Sequence, residues 1–177
     1  MLNQIKSPRF IVLILLILAA AATRALPLLI PHIWGFTAIY ALAIFAGAQF
    51  NNKALAVVIP LAAMAISDLF IGDGFIMTVY LGFTAIVLCG MAIQKHLTVT
   101  TIGLASIVGA VLFFLITNFA FFYPETYYPH NIEGVITSYV RGLPFLRNAL
   151  ISDLIYVPLL FGSFYFLSKR YPSLATD

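Results

Sequence analysis

The chain has 177 residues, of which 63% are hydrophobic and only 8% are charged, and its mean hydropathy is +1.06. A soluble domain carries roughly 25% charged residues, so a water-facing surface cannot be built around this much apolar sequence. The composition therefore predicts an integral membrane protein and leaves no room for a soluble catalytic domain. The net charge of +3 comes from isolated Lys and Arg residues, which excludes a basic tract for nucleic acid.

Apolar runs separated by turn residues predict an all-α bundle of six transmembrane helices in a single domain over residues 1–177. In chain order, the predicted spans are 10–26, 35–50, 54–72, 75–94, 101–123 and 144–168. Pro27 and Pro31 end the first span, and residues 124–143 form the one long loop, which is rich in Tyr and Pro.

The first span also resembles a signal peptide, with a basic start at Lys6 and Arg9 and an alanine-rich end. An uncleaved helix is preferred, because the six-span topology closes well with this helix in place. Basic residues at the predicted cytoplasmic ends are Lys6, Arg9, Lys53, Lys95, Lys169 and Arg170, and those at the outer ends are Arg24, Arg141 and Arg147. This asymmetry predicts that both termini are cytoplasmic.

Several polar residues fall within or near the predicted spans, toward their outer ends. Charges in a bilayer cost several kcal/mol each unless they are paired or hydrated. One interpretation is structural, with Arg24 pairing with Asp68 or Asp153 to fix helix packing. The other is the polar wall of an outward-facing cavity, with aromatic residues such as Phe113 around a bound ligand. The candidate substrate-binding residues are Arg24, Asp68, Asn118, Arg147, Asn148 and Asp153.

A short sequence recurs in the third and sixth spans. Ser67-Asp68-Leu69 is repeated as Ser152-Asp153-Leu154, and Pro60 and Pro144 precede the two copies at nearly equal distances. Because each half would contain three spans, an odd number, a true repeat would be inverted in the membrane, as it is in several transporter folds.

The motifs of intramembrane enzymes are missing from the sequence. An aspartyl protease would need Gly-x-Gly-Asp, but residues 70–73 lack the first glycine, and neither a serine-protease site nor a phosphate loop occurs. Cys89 is the single cysteine, which excludes an internal disulfide. His32 and His130 are expected in loops as solvated residues. The prediction is no enzyme activity, no cofactor and no metal site.

Six segments of the sequence carry a resemblance to an uncharacterised bacterial membrane family: Arg24-Ala-Leu-Pro27, Phe45-Ala-Gly-Ala48, Pro60-Leu-Ala-Ala-Met-Ala-Ile-Ser-Asp-Leu69, Phe113-Phe-Leu-Ile-Thr-Asn118, Pro144-Phe-Leu-Arg-Asn148 and Ser152-Asp-Leu154. That family is similar to the substrate-binding S components of energy-coupling factor (ECF) transporters. The resemblance covers residues 24–162 and implies a multi-pass protein of the bacterial inner membrane.

The resemblance also implies a ligand and a partner. The ligand would be a vitamin-like small molecule bound near the outer face, and the partner an ECF coupling membrane protein with two cytoplasmic ATPase subunits. Small residues on the first helix form the docking face in S components, which here implies Ala21, Ala22 and Ala25. A group that takes up cobalamin alone uses a cysteine near its ligand. Cys89 departs from that pattern, because it is predicted in the cytoplasmic half of its helix.

These observations predict a membrane substrate-binding and uptake protein of the ECF S-component type. The alternative is a structural or assembly subunit of a larger membrane complex, whose polar cluster would be paired and dry. An enzyme acting on lipid or isoprenoid substrates is less favoured, because metal-phosphate chemistry would need acidic residues at the cytoplasmic face, where the sequence has almost none.

Overall fold

The structure is a computed structural model and describes residues 7–25, 36–72 and 74–174. Within these residues all regular structure is helical, which confirms the predicted all-α class. The six α-helices are α1 (Pro8–Ala22), α2 (Ile39–Gln49), α3 (Lys53–Ile71), α4 (Met77–Ala92), α5 (Val99–Thr117) and α6 (Ile132–Arg170), and short 3-10 turns cover Thr23–Ala25, Ala120–Phe122 and Pro172–Leu174. Four helices, α1 with its 3-10 extension, α3, α5 and α6, are long and apolar enough to cross a membrane, and α2 and α4 are shorter.

The outer surface of the bundle is apolar. Leu69, Phe70 and Leu154 are 84%, 86% and 77% exposed. Every helix except α2 also carries other exposed large apolar side chains. Continuous apolar exposure of this kind would drive a water-soluble protein to aggregate, but it is the surface that hydrocarbon solvates.

Local signals explain where the helices begin and end. Asn52 and Asn131 cap the first turns of α3 and α6, and Thr98 forms a reciprocal capping box with Thr101 at the start of α5. Helix α3 ends at Gly72, whose φ of 83° lies in the left-handed region that glycine adopts without steric cost.

The largest difference between the predicted and the observed helix bounds is at the sixth helix. Helix α6 begins at Ile132, capped by Asn131, instead of at residue 144, and α5 ends at Thr117 instead of residue 123. Pro144 was read as a helix boundary, but it lies inside α6, as prolines do in membrane helices whose neighbours satisfy the freed backbone groups. The long loop is therefore shortened to residues 118–131. The predicted turn residues Pro27 and Pro31 and the loop residue His32 lie outside the described residues.

Helix α2 lies at the centre of the bundle. Ten of its eleven residues are buried, and it contacts each of the other five helices. An apolar sequence without a polar face is typical of a helix that is covered on all sides. At 11 residues, α2 is about 16 Å long, which is roughly half the hydrocarbon thickness of a bilayer.

Helices α2 and α4 approach each other very closely. A side chain at Gly47 would overlap the carbonyl oxygen of Val87, and one at Gly90 would overlap the carbonyl oxygen of Ile44. The two backbones therefore touch directly, as small residues allow in membrane bundles.

Polar groups satisfy the backbone at both ends of α2. At the carboxyl end, Arg9 donates to the carbonyl oxygens of Gln49 and Leu174, each at 3.0 Å, and the Gln94 amide donates to the carbonyl oxygen of Phe50 at 2.6 Å. At the amino end, the backbone amide of Ala38 donates to Thr23 Oγ1 at 2.8 Å. We call the two ends of the bundle, where Arg9 and Arg24 lie, the Arg9 end and the Arg24 end.

We expect Gly47→Ala and Gly90→Ala each to destabilise the protein by about 1–3 kcal/mol, because the new methyl group must push two backbones apart. Thermal unfolding in lipid nanodiscs, followed by circular dichroism, measures the loss. Gly103 is the matched control: it is also helical, but a side chain there meets no atom within 4 Å, so Gly103→Ala should be neutral or slightly stabilising. Equal effects at the three positions would contradict the close contact.

Candidate functional site

An ion pair between α1 and α3 lies at the Arg24 end. Arg24 forms a salt bridge with Asp68 Oδ1, and its guanidinium also donates to Ser67 Oγ at 2.6 Å and to the carbonyl oxygen of Met64 at 3.3 Å. Tyr80, on α4, donates its hydroxyl to Asp68 Oδ2 at 2.6 Å. The network joins three helices, and this pairing of Arg24 with Asp68 was one of the two predicted from the sequence.

This network is closed and nearly dry. The Arg24 and Asp68 side chains are 14% and 9% exposed, and both carboxylate oxygens of Asp68 have a donor. Each oxygen of this carboxylate therefore already has a donor within the chain. These contacts favour a structural role, in which the charges hold α1, α3 and α4 in register.

The second intramembrane acid, Asp153 on α6, has a different environment. It is 3% exposed, and its Oδ2 accepts a hydrogen bond from Ser106 Oγ on α5 at 2.6 Å. Its Oδ1 is also buried but has no hydrogen-bond partner in the part of the chain that the structure describes. One oxygen of a buried carboxylate therefore lacks a hydrogen-bond partner among these residues, which is an unusual and costly arrangement. We call this side chain the open carboxylate.

The open carboxylate lies beside the amino end of the central helix. The backbone of Ala41, in the first turn of α2, interacts with Asp153, and the neighbouring Tyr40 is close enough to interact with it electrostatically. The first turn of a helix carries unpaired N–H groups and a partial positive charge, so a carboxylate is favourable there.

Aromatic side chains surround this end of α2. The rings of Tyr40 and Phe113 meet edge to face with centroids 4.9 Å apart, and the rings of Phe36 and Tyr156 lie 5.7 Å apart. Tyr156 follows Asp153 by three residues on α6, so the two side chains share a helix face. The site thus combines one carboxylate, one hydroxyl donor and four aromatic rings.

The two acids lie at different depths. Asp68 is the sixteenth of the 19 residues of α3, about 22 Å from the Arg9 end of that helix. Ser106, the partner of Asp153, is the eighth of the 19 residues of α5 and lies about 10 Å from the Arg9 end. Asp153 itself is the twenty-second of the 39 residues of α6 and therefore lies near the middle of that helix.

The other predicted binding residues do not join either acid. Asn118 donates to the carbonyl oxygen of Phe114 at 3.0 Å, and its side chain packs against Gly142, where α5 meets α6. Arg147 is exposed on α6, with Nη2 3.5 Å from Oδ1 of the adjacent Asn148. The six candidates thus separate into the Arg24–Asp68 pair, Asp153 alone, and three residues on α6 or at the end of α5: Asn118, Arg147 and Asn148.

The predicted docking residues on α1 do not share one free face. Ala21 is buried in the core, and Ala22 is exposed. Ala25, in the 3-10 turn, is partly exposed. Ala21 therefore belongs to the internal packing of this chain, and Ala22 is the member of the set that a neighbouring protein would meet.

Sequence reasoning missed two partners of Asp153. The candidate set predicted from the sequence contains neither Ser106 nor Tyr40, which lie in the predicted fifth and second spans. A hydroxyl in the middle of an otherwise apolar span is a usable signal for such a partner. No group of three or more His, Cys, Asp or Glu side chains that could hold a metal ion occurs within the described ranges.

The repeated Ser-Asp pair has the same local geometry in both copies. Ser67 and Ser152 each donate to the carbonyl oxygen three residues earlier, at 2.8 Å, and the following Asp points to another helix. The partners differ, because Asp68 meets Arg24 and Tyr80 whereas Asp153 meets Ser106.

The fold and the buried charges define the class of the protein: an all-helical protein with an apolar exterior and four helices long enough to cross a membrane. The chain belongs to DUF6580, a family of unknown function, which it matches over residues 4–174. Neither a curated protein nor a solved structure matches the chain.

We expect Arg24→Gln and Asp68→Asn each to lower stability by about 3–5 kcal/mol, because each leaves the other charge buried without its partner. The double variant should recover much of that loss. Thermal unfolding of the four proteins in nanodiscs gives the coupling between the two side chains, and Lys95→Gln, at an exposed loop position, is the control for charge removal. Additive losses in the double variant would contradict a direct structural ion pair.

Proposed function

We propose that this protein crosses the bacterial inner membrane six times and binds a vitamin-sized small molecule for uptake, as ECF S components do. The observation that carries the proposal is the open carboxylate of Asp153, buried near the middle of the bundle beside the amino end of α2. Ionisable residues at such depth are rare in membrane proteins and usually mark a substrate or ion pathway.

The half-length central helix supports the same proposal. Many transporters bind their substrates near the bilayer midplane, at the ends of helices that cover only part of the membrane. Helix α2 has this form, since it is about 16 Å long and begins close to the depth of Asp153. The five helices that surround α2 keep lipid away from its first turn, which allows a polar site there.

The distribution of charge supports an orientation. Basic residues at the Arg9 end are Arg9, Lys53, Lys95, Lys169 and Arg170, and those toward the Arg24 end are Arg24, Arg141 and Arg147. The excess at the Arg9 end is the arrangement expected of a cytoplasmic face. In this orientation the ligand enters from the Arg24 end, reaches Asp153, and leaves toward the Arg9 end after the helices rock around the site.

A coupling partner is part of the proposal. An S component of this kind would work with a membrane coupling protein and two ATPases, and the exposed Ala22 face of α1 would be its docking surface. The alternative, a structural or assembly subunit of a larger complex, has one observation in its favour, the closed Arg24–Asp68–Tyr80 network. That network is compatible with both functions, whereas the open Asp153 carboxylate favours binding.

Native mass spectrometry of the protein, purified gently from its host membrane, tests the proposal. We expect a vitamin-sized mass on the wild-type chain, lost in Asp153→Asn and retained in Lys95→Gln, with helical content and monodispersity showing that each variant folds. ATPase subunits in the same spectrum would support the ECF type.

Two results would contradict uptake. One is a chain that carries no small molecule, and the other is a chain held only with large unrelated membrane subunits. Either would support the structural alternative.

A further inference from the structure

The environment of Asp153 also carries information about the charge of its ligand. Resting on the proposed function, we infer that the molecule bound at Asp153 is an organic cation whose positive group meets Oδ1. Among the described residues no cation is paired with this carboxylate: its hydrogen bond comes from the Ser106 hydroxyl, and it also interacts with the backbone of Ala41. A positively charged ligand would supply the partner that these residues do not.

The open oxygen defines where that charge binds. Oδ2 already accepts from Ser106 at 2.6 Å, which fixes the carboxylate and leaves Oδ1 as the acceptor. The acid is 3% exposed, so water does not compete for this position while the site is closed. An ammonium or amidinium group is a donor that matches a single desolvated carboxylate oxygen.

The aromatic rings favour an organic cation over a metal ion. A metal ion would need several oxygen ligands, whereas no group of three or more His, Cys, Asp or Glu side chains that could hold one occurs in the described ranges. Tyr40 and Phe113 form an edge-to-face pair with centroids 4.9 Å apart, and Tyr156 lies on the same helix face as the acid. Aromatic faces beside a carboxylate recognise organic ammonium groups through cation–π attraction.

Three size-matched probes test the inference: 2-phenylethylammonium, neutral 2-phenylethanol and anionic phenylacetate. Each is titrated against the wild-type protein in nanodiscs, with thermal unfolding as the readout. We expect the cation to stabilise the protein at concentrations at least about tenfold lower than the neutral probe, and the anion to give no stabilisation. Asp153→Asn should abolish the preference, and Asp153→Glu should keep part of it.

Several outcomes would overturn the inference. Equal stabilisation by the cation and the neutral probe would do so, as would no stabilisation by any probe. Stabilisation by Na⁺ over K⁺ at constant ionic strength, with no further effect of phenylethylammonium, would assign the site to a metal ion. The wild-type comparison needs no variant, so it decides the question even if Asp153→Asn fails to fold.

The identity of the co-purifying molecule separates this inference from the proposed function. A neutral or anionic molecule that is lost in Asp153→Asn would support the uptake proposal and contradict the inference of a cationic ligand. A chain without any bound molecule would contradict both.

Discussion

The burial of a short helix at the centre of the bundle constrains the rest of the structure. Helix α2 contacts every other helix, and its contact with α4 leaves no room for a side chain at Gly47 or Gly90. The ends of a helix expose backbone groups that hydrocarbon cannot satisfy, and α2 places both its ends inside protein. Polar residues must therefore gather at those two places. Arg9 and Gln94 serve the carboxyl end, and Thr23 and Asp153 lie at the amino end.

The parts of the fold that depend on hydropathy were predictable from the sequence. The number and order of the helices follow from the apolar runs. In hydrocarbon, each such run must form its backbone hydrogen bonds within its own helix. The start of α6 was not predictable in the same way, because Pro144 and the polar residues before it are typical of a loop. The helix continues through Pro144 and begins at the Asn131 cap.

The candidate site was predictable only in part. The pairing of Arg24 with Asp68 follows from the cost of isolated charges in a bilayer, and opposite charges on adjacent spans satisfy each other. The partners of Asp153 do not follow from charge, because they are Ser106, Tyr40 and the first turn of α2. Hydroxyl and backbone groups occur on every helix, and only the packing around α2 determines which of them meet the acid.

The two copies of Ser-Asp-Leu place their acids in different environments. Asp68 has a cation and a phenol as partners, so it stabilises the bundle in every state in which α1, α3 and α4 stay together. Among the described residues Asp153 is paired with no cation, and a purely structural position would be better filled by an apolar residue or an amide. The amino end of α2 offsets part of the cost of burying this carboxylate. Under the proposed function, a bound cation would offset the rest, and its release would require α2 or α6 to move, which would couple release to a change in the bundle.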